Sequence, residues 1–307
     1  MLAKELRRLI RDFLARQTLR VVVVAVHLIP LLFFRWMGVL LTKGFCRFSK
    51  RYQELADNNL NIAFPGQGEN YRRLVKKKSF ILLGTNAADS LWFVNRSTRK
   101  RRNLVCLEGR VNLDNALAAG KGVIAVTAHM GVFTILGGVL AAYGYRANYI
   151  LRTPRDEKMA VVLGRGLRMQ GTSPIFTHPA IKCVEASISA LRLNEILVIL
   201  IDQDIGNAGI FVKFFGRPAS TPAGPAIFSL RTGAKILPMF MLREGNRHKL
   251  WIQPEFRIIR GENAEKTILE NTQRLTLRVE NVIREYPEQW SWVDRRWKTR
   301  PITDVHG

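Results

Sequence analysis

Cysteine is scarce in this sequence, and its placement indicates neither a metal site nor a disulfide framework. Cys46, Cys106 and Cys183 are scattered over 307 residues, without a CxxC motif or a cysteine–histidine spacing. This argues against zinc and predicts reduced thiols in the core. The sequence also lacks internal repeats and low-complexity tracts, which argues against a repeat array.

Acidic residues are also few in this sequence. The chain has 24 acidic and 48 basic side chains, a formal net charge of +24. Such a surface favours anionic partners, which include nucleic acid, an anionic membrane face and acidic proteins or ligands. A hydrophobic content of 47% is enough for a substantial core, and the length fits one large domain or two small ones.

No uninterrupted apolar run is long enough to span a membrane cleanly. The run from Val21 to Phe34 is shorter than the roughly 20 residues that a spanning helix needs, and Pro30 interrupts any extension through Arg35 to Leu41. Basic residues flank the run on both sides, so the positive-inside rule gives no orientation. This symmetry favours an in-plane or re-entrant anchor, with a buried core helix as the alternative. We expect an anchor over residues 1–45 and a globular domain over 46–307.

After this segment the pattern predicts an α/β domain. Helical sequence is expected on both sides of Pro65-Gly66, and strands then alternate with helices. The strongest strands are the apolar runs 122–128 and 195–201, with a hairpin near Glu244 and a long C-terminal helix from Ala264. This alternation predicts a largely parallel central sheet flanked by helices. Thr221 and Pro222 are expected to begin one of the helices as N-cap and first residue.

Two polar groups directly follow the strongest strands. His129 follows the first run, and Asp202 and Asp204 follow the second within the motif "DQD". Sites in parallel sheets lie beyond the carboxyl ends of the strands, so both groups are expected at that edge. A histidine there can deprotonate a hydroxyl. The alternatives are a histidine bonded to backbone groups, and aspartates that cap a loop or pair with an arginine.

Two further stretches combine aromatic and basic residues. "FVKFFGRPASTPAG" contains Lys213 and Arg217, candidate contacts for an anionic ligand, although a solvated basic face is the simpler interpretation. The tail "YPEQWSWVDRRWKTRP" places three tryptophans among basic side chains. These tryptophans can stack on bases, lie at a membrane interface or pack under the domain. No nucleic-acid-binding motif accompanies them, so a nucleic-acid partner is not expected.

Taken together, several blocks resemble the lipid A biosynthesis acyltransferases, the lauroyl/myristoyl type within the lysophospholipid acyltransferase-like superfamily. The similar blocks are "NNLNIAFPGQGENYRRLVKKKSF", "GKGVIAVTAHMGVFTILG", "YILRTP", "LIDQDIGNAGIFVKFFGRPASTPAG" and "PEQWSWVDRRWKTRP". The likeness extends over nearly the whole chain, and the last two blocks are long and specific.

The resemblance implies a glycerol-3-phosphate acyltransferase-like domain behind a membrane anchor, on the cytoplasmic side of a bacterial inner membrane. It implies transfer of a fatty acyl group from acyl carrier protein to a hydroxyl of an anionic glycolipid or phospholipid, without metal or organic cofactor. His129 would be the general base, and Arg152 would hold the oxyanion or an anionic group. Substrate contacts are expected from Thr134, Lys213, Arg217 and Thr221.

The catalytic block departs from the family pattern at one point. The family has Asp or Glu five positions after the histidine, and here that position is Thr134. Losing an orienting acid costs about 10⁴-fold in rate in serine-protease triads. Three hypotheses follow: Asp202 or Asp204 replaces the acid, the acceptor needs little base assistance, or the protein binds lipid or carrier protein without catalysis.

Overall fold

The computed structural model describes residues 30–94, 96–154 and 156–301. The predicted anchor therefore lies largely outside the described residues, and its first described element is the helix α1 (Leu31–Phe48). Among the described helices, none combines the length and the apolar character that crossing a membrane requires.

Within the described residues, four helices precede the sheet. They are α1, α2 (Lys50–Ala63), α3 (Glu69–Val94) and α4 (Thr98–Leu104). The predicted break at Pro65-Gly66 is confirmed, since it lies between α2 and α3. Two glycines allow α1 and α3 to approach closely: a Cβ on Gly38 would lie 2.5 Å from the carbonyl oxygen of Gly84.

A seven-stranded, mostly parallel sheet forms the centre of the domain and confirms the α/β prediction. Its spatial order is β1-β9-β8-β2-β5-β3-β4, and only the β8–β9 pair is antiparallel. The strands are β1 (Val105–Glu108), β2 (Val123–Thr127), β3 (Ala147–Leu151), β4 (Thr172–Phe176), β5 (Ile196–Leu200), β8 (Lys235–Glu244) and β9 (Arg247–Ile252).

The remaining elements cover the sheet and its edges. The helices are α5 (Arg110–Leu117), α6 (Leu136–Ala142), α7 (Glu157–Met169), α8 (Ala180–Arg192), α9 (Gly224–Thr232) and α10 (Ala264–Glu285). Strands β6 (Ile210–Phe214) and β7 (Arg217–Thr221) form a separate antiparallel ribbon. Short 3₁₀ turns occupy Phe133–Ile135, Gly206–Ala208 and Pro287–Gln289.

The core explains why β2 and β5 are apolar throughout. Every residue of β2 is buried, as are the first four of β5, because helices cover both faces of the sheet. Side chains from the two faces of these strands enter two apolar clusters, one with α10 and one with α6. The two strands therefore hold the polar residues that follow them on a rigid frame.

Three local expectations need correction or confirmation. The Thr221-Pro222 cap is wrong: Thr221 ends β7, and Ala223 is the N-cap of α9, with Pro225 in the first turn. The expectation that the thiols lie in the core is confirmed only for Cys46, because Cys183 is half-buried and Cys106 is exposed. The hairpin near Glu244 and the helix from Ala264 are confirmed.

Candidate active site

His129 and Asp202 meet because they follow neighbouring strands. Thr127 pairs with Leu200 at the ends of β2 and β5, and the backbone N–H of Ile201 donates to the Thr127 carbonyl at 3.2 Å. Both side chains therefore emerge two residues later at the same edge of the sheet. The His129 Nδ1 atom lies 2.9 Å from Asp202 Oδ1.

The Asp202 carboxylate fixes the orientation of the imidazole. Its Oδ2 accepts hydrogen bonds from the His129 backbone N–H at 2.8 Å and from Trp290 Nε1–H at 2.7 Å. An ionised carboxylate only accepts hydrogen bonds, so the His129 Nδ1 atom carries the proton that Oδ1 receives. The Nε2 lone pair of a neutral His129 ring is then available to a substrate.

The local electrostatics favour the charged forms of both groups. Burial opposes the imidazolium, but the negative charge of Asp202 and its hydrogen bond outweigh this, so the pKa of His129 is raised. Burial also opposes the carboxylate, but the charge and hydrogen bond of His129 and the hydrogen bond from Trp290 lower the pKa of Asp202. The pair is thus suited to stabilise a proton that arrives on the ring.

Residues 286–301, which we call the C-terminal segment, hold residues 128–134, which we call the catalytic loop, in place. The Gly131 N–H donates to the Gln289 carbonyl at 2.8 Å, and the Ser291 N–H donates to the His129 carbonyl at 3.1 Å. Trp290 is buried beneath the loop and bonds Asp202. The tail tryptophans Trp290 and Trp292 therefore pack inside the domain, one of the three alternatives that the sequence left open.

Asn86 of α3 holds the loop from the other side. Its Nδ2–H donates to the Gly131 carbonyl at 2.9 Å, and its Oδ1 accepts from Arg243 Nη2–H at 3.0 Å. Arg243 in turn pairs with Asp89, a buried carboxylate. No local sequence signal identified Asn86, Arg243 or Gln289, because each lies far along the chain from His129.

An apolar cavity of about 320 Å³ lies beside His129. We call it the apolar cavity; α3, the catalytic loop and the C-terminal segment line it, with Phe80, Leu83, Val132, Phe133, Trp290 and Trp292 among its walls. Thr134 also lines it, and the hydroxyl oxygens of Thr134 and Ser90 lie 2.5 Å apart. Position 134 therefore carries a hydroxyl pair and no carboxylate.

Asp204 has a different environment from Asp202. It accepts hydrogen bonds from the backbone N–H groups of Gly206 and Thr299 and from the Thr299 hydroxyl. Among the described residues, Asp202 and not Asp204 contacts the His129 ring. Asp204 shares with Arg152 a second cavity of about 570 Å³, which we call the basic cavity.

Three predicted contacts lie elsewhere. Lys213 and Arg217 are exposed on the β6–β7 ribbon and line neither the apolar nor the basic cavity. Thr221 is buried, and its hydroxyl accepts a hydrogen bond from Arg296 at 2.5 Å. The structure therefore places His129 and Thr134 on one cavity, with Asp202 bonded to the His129 ring, and Asp204 with Arg152 on the other cavity.

A comparison with known protein families matches almost the whole length of the chain. A family model described as "Bacterial lipid A biosynthesis acyltransferase" matches residues 6–299. This match covers most of the chain, including the catalytic loop and the C-terminal segment, so the protein is a member of that acyltransferase family.

Curated relatives agree with this assignment. The chain is 28% identical to a lipid A biosynthesis palmitoleoyltransferase of Escherichia coli (strain K12) over 262 residues, 83% of this chain and 81% of the relative. It is 26% identical to the lipid A biosynthesis lauroyltransferase of the same organism over 273 residues, covering 86% and 85%. A phosphatidylinositol mannoside acyltransferase of Mycobacterium tuberculosis (strain ATCC 25618 / H37Rv) is 26% identical over 198 residues, covering 62% and 58%.

Proposed function

We propose that the protein transfers a fatty acyl group from a thioester on acyl carrier protein to a hydroxyl of an anionic glycolipid or phospholipid, such as a lipid A precursor. The observation that carries this proposal is the 2.9 Å hydrogen bond between His129 Nδ1 and Asp202 Oδ1 at the edge of an apolar cavity. This hydrogen bond orients the imidazole ring of a general base. The apolar cavity beside the ring has the chemical character that an acyl chain requires.

In this mechanism, His129 Nε2 accepts the proton of the acceptor hydroxyl as its oxygen attacks the thioester carbonyl. Asp202 holds the ring and stabilises the imidazolium that forms. The tetrahedral intermediate then collapses, the carbon–sulfur bond breaks, and the proton on Nε2 passes to the departing sulfur. No metal or organic cofactor takes part.

The same arrangement accounts for the substitution at Thr134. Asp202 bonds the His129 Nδ1 atom, so the orienting carboxylate comes from the end of β5 rather than from five positions after the histidine. Arg152 lines the basic cavity and not the apolar one, which favours a role with an anionic group over a role at the oxyanion.

The proposed location is the cytoplasmic face of a bacterial inner membrane, with residues 1–45 as the anchor and 46–307 as a glycerol-3-phosphate acyltransferase-like domain. The outward face of α1 supports contact with lipid, because large apolar side chains there are exposed: Leu32, Phe33, Trp36, Leu40, Leu41 and Phe45. Basic residues near its end, including Lys43 and Arg47, favour anionic headgroups.

The test is an acyl-transfer assay with the full-length protein in lipid vesicles. Acyl carrier protein with a radiolabelled fatty acyl group is the donor, and a lipid A precursor or an anionic phospholipid is the acceptor. We expect transfer by the native protein and by His178→Ala, a matched control in an exposed loop, and a loss of at least about 100-fold for His129→Ala. Absence of transfer by the native protein would favour a non-catalytic lipid- or carrier-binding role.

A further inference from the structure

The basic cavity gathers more positive than negative charge. Four cationic side chains line it: Arg51 at the start of α2, Arg152 after β3, and Arg295 and Lys298 in the C-terminal segment. All four are exposed to solvent. Two carboxylates, Asp204 and Asp294, line the same cavity.

The two carboxylates are already engaged by other groups. Asp204 accepts two bonds from Thr299 and one from the Gly206 N–H, and its charge also acts on the buried guanidinium of Arg296. Asp294 accepts a hydrogen bond from Gln203 Nε2–H at 3.1 Å. Within the described residues, neither carboxylate forms an ion pair with any of the four cations.

The basic cavity adjoins the candidate active site. Val293 lines both cavities, so the two cavities are adjacent. Gln203, another lining residue, directly follows Asp202, the carboxylate that bonds His129. A molecule with its reacting group at His129 can therefore place a charged group in the basic cavity.

We propose that the basic cavity binds a phosphate group of a substrate during acyl transfer, with Arg51, Arg295 and Lys298 as contacts beside Arg152. The charged oxygens of a phosphate accept hydrogen bonds, and the group carries one or two negative charges near neutral pH, which matches guanidinium and ammonium donors. The cavity volume of about 570 Å³ also leaves room for the group that bears the phosphate. This inference rests on the proposed function, because it concerns the substrates of that reaction.

Two substrates carry this chemistry. One is the headgroup of a phosphorylated glycolipid acceptor, and the other is the phosphodiester that joins the pantetheine arm to the carrier protein. Each source has a soluble probe with a matched compound that lacks phosphate. The probes are glucosamine 1-phosphate against glucosamine, and pantetheine 4′-phosphate against pantetheine.

The experiment measures binding of these four compounds to the full-length protein in uncharged detergent by titration calorimetry. The test variant is Arg51→Gln with Arg295→Gln and Lys298→Gln. The control variant removes three exposed cations outside the cavity: Lys100→Gln, Lys182→Gln and Arg192→Gln. Thermal unfolding of both variants is compared with that of the native protein, so that a folding defect is recognised.

We expect one or both phosphates to bind the test variant at least about fivefold more weakly than the control variant, since three rim charges each contribute modestly. The compounds without phosphate are expected to show no such difference. The phosphate that responds identifies the source. If neither phosphate binds the test variant more weakly than the control, including the case of no binding at all, the inference is overturned.

Failure of the phosphate-binding inference can be distinguished from failure of the proposed function, because the binding measurement requires no turnover. Transfer in the vesicle assay together with equal phosphate binding by both variants removes only the phosphate site. Phosphate binding that depends on the three cations, without any transfer, removes only the acyltransferase mechanism.

Discussion

At the scale of single residues, the two oxygens of Asp202 have separate roles. Oδ1 receives the His129 ring proton, while Oδ2 receives the backbone N–H of the same residue and the indole N–H of Trp290. The carboxylate therefore orients the imidazole ring and the backbone at His129, and the bond from Trp290 holds the carboxylate in place. Thr134 makes no comparable contact, because its hydroxyl pairs with Ser90.

This division predicts a small effect of Thr134→Val. Valine keeps the shape of the side chain and removes only the hydroxyl pair, and Ser90 retains its bond to the Asn86 carbonyl at 2.7 Å. We expect kcat/KM in the transfer assay to fall less than about tenfold, the scale of one ordinary hydrogen bond. A fall of about 10³-fold or more would show that Thr134, despite its lack of charge, has a catalytic role that Asp202 does not replace.

The sequence predicted where the site residues lie, but not which of the two aspartates contacts His129. His129 and Asp202 were predictable from the ends of two apolar strands, because neighbouring parallel strands bring such positions together. The choice between Asp202 and Asp204 was not predictable, because it depends on the turn that directs Asp202 towards β2 and Asp204 towards Thr299. Local sequence does not determine that turn.

At the scale of elements, the catalytic loop depends on a glycine that fits against β8. Gly131 has φ +55°, and an added Cβ would overlap the carbonyl oxygen of Met241. Its N–H and carbonyl are also bonded to Gln289 and Asn86. The loop therefore has little freedom to move away without breaking contacts from two other elements.

Gly131→Ala is expected to displace this loop and lower kcat by at least about tenfold, because catalytic geometry tolerates displacements of well under an ångström. The matched control is Gly120→Ala. Gly120 also has positive φ (+69°), but open space surrounds its Cβ position and it lies away from both cavities. The control carries similar backbone strain of about 1 kcal/mol and should keep near-native transfer. Equal losses in both variants would show that strain, and not the Met241 contact, limits the loop.

Most elements were predictable, and their contacts were not. Apolar runs and helical spacing gave the strands β2 and β5, the hairpin and the helix α10, because those signals are local. The N-cap at Thr221 failed because the ribbon β6–β7 extends through that residue, and strand pairing overrode the local cap signal. The packing of the C-terminal tryptophans against the catalytic loop is a tertiary contact with no periodic signature.

At the scale of the whole molecule, a buried charge cluster joins the helical N-terminal part to the sheet. Asp89 of α3 pairs with Arg35 of α1 at 2.6 Å, with Arg243 of β8, and with His248 Nε2 of β9 at 2.8 Å. Burial alone would raise the pKa of Asp89. Hydrogen bonds from His248 and Arg35 and the charge of Arg243 instead lower it to about 2.

Asp89→Asn is expected to reduce the free energy of unfolding by about 3–5 kcal/mol, because it leaves two guanidinium groups buried without a counter-charge. Urea unfolding at pH 7 measures this. The control is Asp57→Asn, which breaks a half-exposed pair with Lys76 and should cost less than about 1 kcal/mol. A loss for Asp89→Asn no larger than the control's would contradict the assignment of Asp89 as a central ion-pair partner.

The same cluster sets a pH dependence. The folded pKa of Asp89 lies below its unfolded value, so its stabilisation is complete above about pH 4 and is lost as the pH falls towards 2. The stability difference between the native protein and Asp89→Asn should therefore shrink over that interval. The four residues of the cluster come from four elements, which is why the sequence alone did not reveal it.

The central claim is that Asp202 supplies the carboxylate that makes His129 an effective base, and the pH dependence of kcat/KM for the native protein and Asp202→Asn tests it most directly. A general base must be neutral, so native activity should rise as the pH increases through the raised pKa of His129. In Asp202→Asn burial still opposes the charged ring and only the charge of Asp294 still favours it. The account therefore predicts that this rise moves to lower pH while the plateau falls by about 10²–10⁴-fold. A plateau and a midpoint both equal to those of the native protein would contradict it.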